Sequence, residues 1–320
     1  MNPSKLREMD NSKLQTAKND KKDEFYTLLP DIEKELGHYK DCFQGKVVYC
    51  NCDDNSSNFY EYFVLHAKEL GISYVICSWY NPEGKGKFAY FDPNNPSDNP
   101  YQAYTLDRDN GSYNCDECKE RFLSVADIVV TNPPFSKFRD YIDILFKYNK
   151  KFIILGTLNG FKYKEVFPYV KEGKVWAGFG FNMSVIFKTP YPNTSADNAK
   201  NVRNKGYNPD EGYVTVSSIC WFTNLECAKR SKPMELKLSI KDRQYLKYDN
   251  FDAIDVNKVT DIPYDYDGIM GVPITILGKL NDSQFEIIGE ANHGCDNKYD
   301  LFMPTIGGHI LFPRILIKRK

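Results

Sequence analysis

Asp127-Ile-Val-Val-Thr-Asn-Pro-Pro-Phe135 is the stretch of this 320-residue chain from which the rest is best read. Residues 127–131 form a short apolar, β-branched run of the kind that makes a buried strand. The run passes directly into a turn. Pro133 holds Asn132 extended, and two successive prolines, Pro133 and Pro134, make a stiff corner with no N–H groups. The atoms such a corner offers are acceptors, the Asn132 side-chain oxygen and the Pro133 carbonyl. Together they can take both hydrogens of a planar amine, which localises the nitrogen lone pair. Phe135 supplies a face on which a heterocycle can stack. The competing reading is a purely structural strand-ending Pro-Pro turn.

Outward from this stretch, strands and helices alternate. Strands are expected at 46–51, 73–78, 101–106, 127–131, 151–155 and 174–178. Helices are expected at 30–39, 58–70, 116–123, 136–149 and 161–172, where apolar residues recur at helical spacing. Residues 80–100 are rich in Gly, Pro, Asn and Asp and read as a loop or hairpin. The alternation predicts an α/β fold with a mainly parallel, doubly wound sheet and helices on both faces. In such sheets ligands bind at the carboxyl ends of strands. Three polar clusters fall there: Asn51-Cys-Asp-Asp-Asn-Ser56, Asn110-Gly-Ser-Tyr113 and the turn beginning at Asn132. Residues 180–214 break the pattern with long loops around one short strand at 184–188, and 214–225 is the last strong strand. The residues beyond lose the alternation and read as a smaller unit ending in a strand near 309–317.

Net charge is −1, so a nucleic-acid-binding face would need local clusters of Lys and Arg rather than a globally basic chain. Residues 1–22 are polar, carry Lys5, Arg7, Lys13, Lys18, Lys21 and Lys22, and read as a flexible basic tail. Arg314, Lys318, Arg319 and Lys320 form a second cluster. No apolar run is long enough to span a bilayer and no secretory signal precedes the core, so the expectation is a cytoplasmic protein. Nine Cys without a regular framework fit a reducing compartment. Cys115 and Cys118 have metal-like spacing but no second pair completes a site, so free thiols and no bound metal are expected.

The full segment from Asp127 resembles the catalytic motif of amino-methyltransferases, and the whole chain resembles the EcoRI-type adenine-specific DNA methyltransferases. Matching stretches are Asp23-Glu-Phe-Tyr-Thr27, Val47-Val-Tyr-Cys-Asn-Cys-Asp-Asp54, 127–141, Trp221-Phe-Thr-Asn-Leu225, Tyr248-Asp-Asn-Phe-Asp-Ala253 and Asp265-Tyr-Asp-Gly-Ile-Met-Gly-Val-Pro-Ile274. The likeness covers nearly all of 23–320. It implies a Rossmann-like methyltransferase domain at 23–230, a DNA target-recognition region at 231–320, and S-adenosylmethionine as cofactor. Asn132, Pro133, Pro134 and Phe135 are then catalytic. Attack of an aromatic amine on a sulfonium methyl needs no strong base, so the scattered His38, His66, His293 and His309 are no objection.

By the same resemblance Tyr26 and Thr27 lie near the methionine end of the cofactor, and Asn51, Cys52 and Asp53 line its loop. That loop has no glycine, as in the family. Asp53 or Asp54 contacts the ligand; the alternative for both is an N-cap of the following helix. Asn110, Ser112 and Tyr113 match a motif in which an Asp commonly reads the cofactor adenine, and Ser112 stands in that place here. Either Ser112 or Asn110 substitutes for it, or the segment is a plain turn. The DNA would be duplex, the adenine flipped out, and Lys137 and Arg139 placed to contact phosphates. A monomer is expected, with a cognate restriction endonuclease not required for activity. The rival readings are an amino-methyltransferase acting on RNA adenine or protein glutamine, and a non-catalytic DNA-binding or antirestriction derivative.

Overall fold

The computed structural model describes residues 24–95, 97, 99–191, 195–292 and 303–320. The basic tail expected at 1–22 and His293 lie outside them. Contacts divide the chain into two units. The first runs up to Leu158 and resumes at Gly180–Leu225; the second comprises Asn159–Phe179 and Glu226–Lys320.

The first unit is organised by four strands with little polar character. These are β2 (Val47–Cys50), β3 (Tyr74–Trp79), β6 (Ile128–Thr131) and β7 (Lys151–Thr157). Their runs, VVYC, YVICSW, IVVT and KFIILGT, are apolar almost throughout rather than alternating. Such runs suit parallel strands covered on both faces. They do pair in parallel, β3 with β2, β2 with β6 and β6 with β7. The chain therefore leaves β2 for β3 on one side and returns to β6 on the other. The β2/β6 boundary is thus the point where strand order reverses, and the crevice beyond the carboxyl ends of such a pair is where α/β sheets hold ligands.

The flanks are antiparallel, which limits the mainly parallel expectation to the centre. On one side β4 (Lys87–Phe91) folds back on β3 and β5 (Tyr104–Thr105) on β4, so the Gly- and Pro-rich 80–100 segment is a hairpin. On the other side β10 (Tyr213–Thr223) pairs with β7, β9 (Met183–Lys188) with β10, and β1 (Tyr26–Thr27) with β9. The strand β8 (Trp176–Ala177), which falls between β7 and β9 along the chain, groups with the second unit. The long-loop reading of 180–214 missed α4 (Ala196–Asn204), a polar helix with Ser195 as N-cap. Its weak apolar stripe hid it.

Three further helices cover the unit: α1 (Leu29–Leu36), α2 (Asn58–His66) and α3 (Phe138–Lys147). Phe138, Tyr141, Ile142 and Leu145 of α3 recur at helical spacing and are all buried. Burial of these four side chains contributes about 1.5–3 kcal/mol each. The expected helix at 116–123 is one short turn, Asp116–Cys118, widening into a π turn over Lys119–Leu123. Cys115 caps it, its sulfur accepting from Cys118 N.

In the second unit the expectation of a single terminal strand was incomplete. A four-stranded sheet runs β11 (Ala253–Asp255), β12 (Ile269–Val272), β16 (Arg314–Arg319), β13 (Phe285–Ala291). The region read as one strand near 309–317 is instead split between β16 and a small pair, β14 (Thr305–Ile306) with β15 (His309–Ile310). Tyr248, Ala253, Ala291 and Leu316 form its core, with Phe251 and Ile269 packed against them. The boundary expected at 230/231 falls at 225/226, and 159–179 groups with the second unit rather than the first. The reason is a hub at Arg230. Its guanidinium lies 3.7 Å over the Trp176 ring and donates to Gly173 O (2.8 Å) and to Asp282. Lys171 likewise reaches Ile288 O at 2.6 Å. Of the helix expected at 161–172 only Phe167–Lys171 is α-helical, after a 3-10 turn at Leu158–Lys162. No helix among the described residues is long and apolar enough to cross a membrane.

Candidate active site

The end of β6 and the end of β2 meet through side chains. Thr131, the last residue of β6, donates its hydroxyl to the Asp53 carboxylate. Tyr141 of α3 donates its hydroxyl to Asn51 Oδ1. Asn51 and Asp53 are both buried. Burial pushes the Asp53 carboxyl up to about 7, against hydrogen bonds from Thr131 and Ser57 that pull it down. Burial likewise raises the Cys52 thiol well above its ordinary value. Asp53 and Asp54 now separate. Asp54 accepts from Ser56 N (2.8 Å) and Ser56 Oγ (2.7 Å) in an exposed turn, and the N-cap of α2 is Ser57, which accepts from Tyr60 N at 3.2 Å. Neither aspartate is the cap, and Asp53 is the carboxylate held inside.

Asn132 begins the turn beyond β6. Its Nδ2 donates to the carbonyl of Phe25 at 2.6 Å. Its Oδ1 is buried and has no hydrogen-bond partner. An unsatisfied buried acceptor costs about 1–3 kcal/mol, so its presence is informative. Nearby in the fold, Thr27 Oγ1 is also buried without a partner, while Thr27 O accepts from Asn58 Nδ2 at 2.7 Å. Tyr26 is half-exposed. The β1–β9 pairing sets Thr27 opposite Phe187. Phe25 and Phe135 stack with centroids 5.6 Å apart and planes at 24°, and Phe187 meets both edge-on, at 5.6 and 6.3 Å. Pro134 O accepts from Lys137 N at 2.9 Å, which starts the helical turn leading into α3. Lys137 and Arg139 are exposed at the start of that helical region.

The 110–113 turn uses its own polar atoms. Asn110 Oδ1 accepts from Ser112 N (3.1 Å), Asn110 O from Asn81 N (2.8 Å), and Ser112 Oγ donates to Asn114 Oδ1 (2.8 Å). Gly111 is required here: its φ is +78° and a Cβ would come within 2.2 Å of Trp79 O. Tyr113 packs edge-on against Tyr141 at 5.1 Å, so the turn reaches Asn51 through two aromatic rings.

The sequence-expected residues at 26–27, 51–53 and 132–135 are linked through their neighbours: Thr131 holds Asp53, Tyr141 holds Asn51 and packs on Tyr113, and Phe25 holds Asn132 and Phe135. Thr131, Tyr141, Phe25, Phe187 and Ser57 were missed as site residues. Thr131 and Tyr141 lay inside quoted stretches but looked like strand and helix core. Phe187 had no local signal, since only the β1–β9 pairing brings it in. No group of three or more metal-binding side chains occurs among the described residues.

Fold and site together define an α/β protein that holds a buried carboxylate, Asp53, and a buried unpaired amide oxygen, Asn132 Oδ1, at the ends of the two strands where strand order reverses. The family described as "Adenine-specific methyltransferase EcoRI" matches residues 13–320. The chain is 41% identical to the type II methyltransferase M.EcoRI of Escherichia coli, over 97% of each chain. It is 37% identical to the type II methyltransferase M.MpnI of Mycoplasma pneumoniae, over 85% of this chain and 83% of that one. It is 34% identical to M.MgeORF184P of Mycoplasma genitalium over 85% and 84%. No solved structure matches. The chain belongs to the EcoRI adenine-specific methyltransferase family, and its activity is methylation of DNA adenine.

Proposed function

We propose that this chain transfers the methyl group of S-adenosylmethionine to the exocyclic amine of an adenine rotated out of duplex DNA. One observation carries the reading: Asn132 Oδ1 is buried, unpartnered and set at the end of β6 beside the strand-order reversal. A buried acceptor left open in the free protein is what a substrate N–H would fill. Asn132 Oδ1 and the Pro133 carbonyl take the two amine hydrogens, Pro134 stiffens the corner, and Phe135 stacks on the base. Rotation of the base out of the helix follows from geometry, because an amine inside the base stack cannot reach a buried site.

The residues present fit the cofactor. Its groups to be held are an ammonium, a carboxylate, ribose hydroxyls and an adenine. The β2 loop offers the Asp53 carboxylate for a cationic or hydroxyl group, and Thr27 offers an open hydroxyl. Asn51 and Cys52 shape the loop, with Asn51 held by Tyr141. Tyr26, Asn110, Ser112 and Tyr113 are proposed to complete the cofactor site, and the Tyr113 ring packed on Tyr141 supports its part in it. When bound, the cofactor supplies an electrophilic sulfonium methyl. The chain's own part is to orient the amine lone pair and exclude water. The parallel centre of the sheet supports a Rossmann-like reading of the first unit. The second unit, with Arg314 and Lys318 on β16, is proposed as the target-recognition region. Lys137 and Arg139 are proposed as phosphate contacts. The protein would act as a monomer in the cytoplasm without needing a cognate endonuclease.

The test is to offer tritiated cofactor with separate pools of duplex DNA, RNA and protein extract. Label is expected in duplex DNA only, and none with Asn132→Ala. Label confined to RNA or protein would overturn the substrate assignment.

A further inference from the structure

Phe25 precedes the Tyr26–Thr27 strand, and two contacts tie it to the turn after β6 while a third ties it to β9. Its carbonyl accepts from Asn132 Nδ2 at 2.6 Å. Its ring stacks on Phe135 with centroids 5.6 Å apart and planes at 24°. The same ring meets Phe187 edge-on at 5.6 Å, and Phe187 is fully buried on β9. A carboxamide has a donor end and an acceptor end. With the donor end occupied by Phe25, the acceptor end is turned away from it, and that is the atom found buried and open. Reversed, the amide would present N–H to an amine that also presents N–H. The stacked rings touch each other directly, so a heterocycle resting on Phe135 must use the face turned away from Phe25.

We infer that Phe25 is a positioning residue for methyl transfer, its main-chain carbonyl setting the Asn132 amide and its ring setting the plane of Phe135. The inference rests on the reading of Asn132 and Phe135 given above. Phe25 touches neither reacting atom. It acts through the two residues that do, and Phe187 anchors it from below. A misplacement of about 1 Å at such a site costs on the order of a hundredfold in rate, so loss of one positioning ring is expected to cost tenfold or more.

The full-length protein is assayed for kcat and KM with plasmid DNA and tritiated S-adenosylmethionine, alongside cofactor dissociation constants and thermal midpoints. Phe25→Leu is expected to lower kcat at least about tenfold. Cofactor affinity should stay within about twofold, and Phe25→Tyr should restore the rate. Should Phe25→Leu fail to fold, Phe25→Met serves in its place. Phe25→Leu combined with Phe135→Leu is expected to be little worse than Phe135→Leu alone, because both act through one ring. Wild-type kcat in Phe25→Leu, or single effects that multiply in the double variant, would overturn the inference. So would a lower KM for DNA at unchanged kcat, which would make the ring a plug rather than a support. An active Asn132→Ala would bring down the underlying amine reading as well. An inactive Asn132→Ala beside a fully active Phe25→Leu would bring down only the role of Phe25.

Discussion

The turn at 132–135 and the turn at 110–113 each begin on an asparagine and end on an aromatic residue, yet they dispose of their polar atoms in opposite ways. At 110–113 the Asn110 and Ser112 side chains close hydrogen bonds within the turn and its neighbours. At 132–135 the prolines supply no N–H groups, so nothing local can satisfy Asn132 Oδ1. Its donor end goes to a residue 107 positions away. A turn that satisfies itself is a scaffold. A turn whose acceptor is left open inside the protein has capacity reserved for something that arrives later.

The largest expected effect falls on the open acceptor. Asn132→Ala should reduce the methylation rate by roughly 10²–10³-fold or more, the scale seen when a single transition-state hydrogen-bonding group is removed. Its thermal midpoint should change little, since deleting the unsatisfied Oδ1 offsets loss of the Nδ2 hydrogen bond to Phe25 O; a large drop in stability would make Asn132 structural. Next comes Asp53. With its carboxyl raised from 3.8 to about 7, the folded protein keeps a proton that the unfolded chain has lost across that interval. Stability attributable to Asp53 therefore falls as pH rises from about 4 to 7, by about 1.4 kcal/mol for each pH step of one, and stays reduced above it. Asp53→Asn should thus be more stable than wild type at pH 8 and about equal at pH 4, by calorimetry. The same substitution should weaken cofactor binding about tenfold or more, and wild-type affinity should rise with pH through 7. Stability that ignored pH in both proteins would show that the carboxyl is not perturbed.

A smaller effect is expected at Tyr141→Phe, which leaves the buried Asn51 Oδ1 with only the long Cys52 Sγ contact at 4.0 Å. A loss of about 1–3 kcal/mol in unfolding free energy, with a several-fold weaker cofactor, is the expected outcome by denaturant titration and fluorescence binding. The smallest effect falls on the self-satisfied turn. Ser112→Ala should change cofactor affinity less than about threefold and stability by about 1 kcal/mol. A tenfold loss of cofactor affinity there would erase the contrast between the two turns and make Ser112 a direct ligand contact.

Much of this contrast was legible in the chain. A Pro-Pro corner after a β-branched run is a local matter, since proline stiffness and the missing N–H act over adjacent residues. The same holds for the parallel strands, whose unbroken apolar runs advertise burial on both faces. What could not be read is pairing at a distance. Nothing in Phe187 or Phe25 announces that they lie together. The antiparallel flanks, the helix α4 with its polar composition, and the grouping of 159–179 with the second unit through Arg230 were likewise hidden. Asp53 and Asp54 are adjacent and chemically alike, and only burial distinguishes them.

The sequence by itself determined the corner at Asn132, the strands that lead to it and the family to which the chain belongs. Each of these depends on neighbouring residues or on the order of residues along the chain. Only the tertiary structure decided which atoms of that corner remain unsatisfied, which of two aspartates is driven toward neutrality, and which aromatic rings gather beside Asn132. Those outcomes depend on what folds against each group from distant parts of the chain, 78 positions away for Asp53 and 107 for Asn132. Desolvation and hydrogen-bond partnering are properties of an enclosed place.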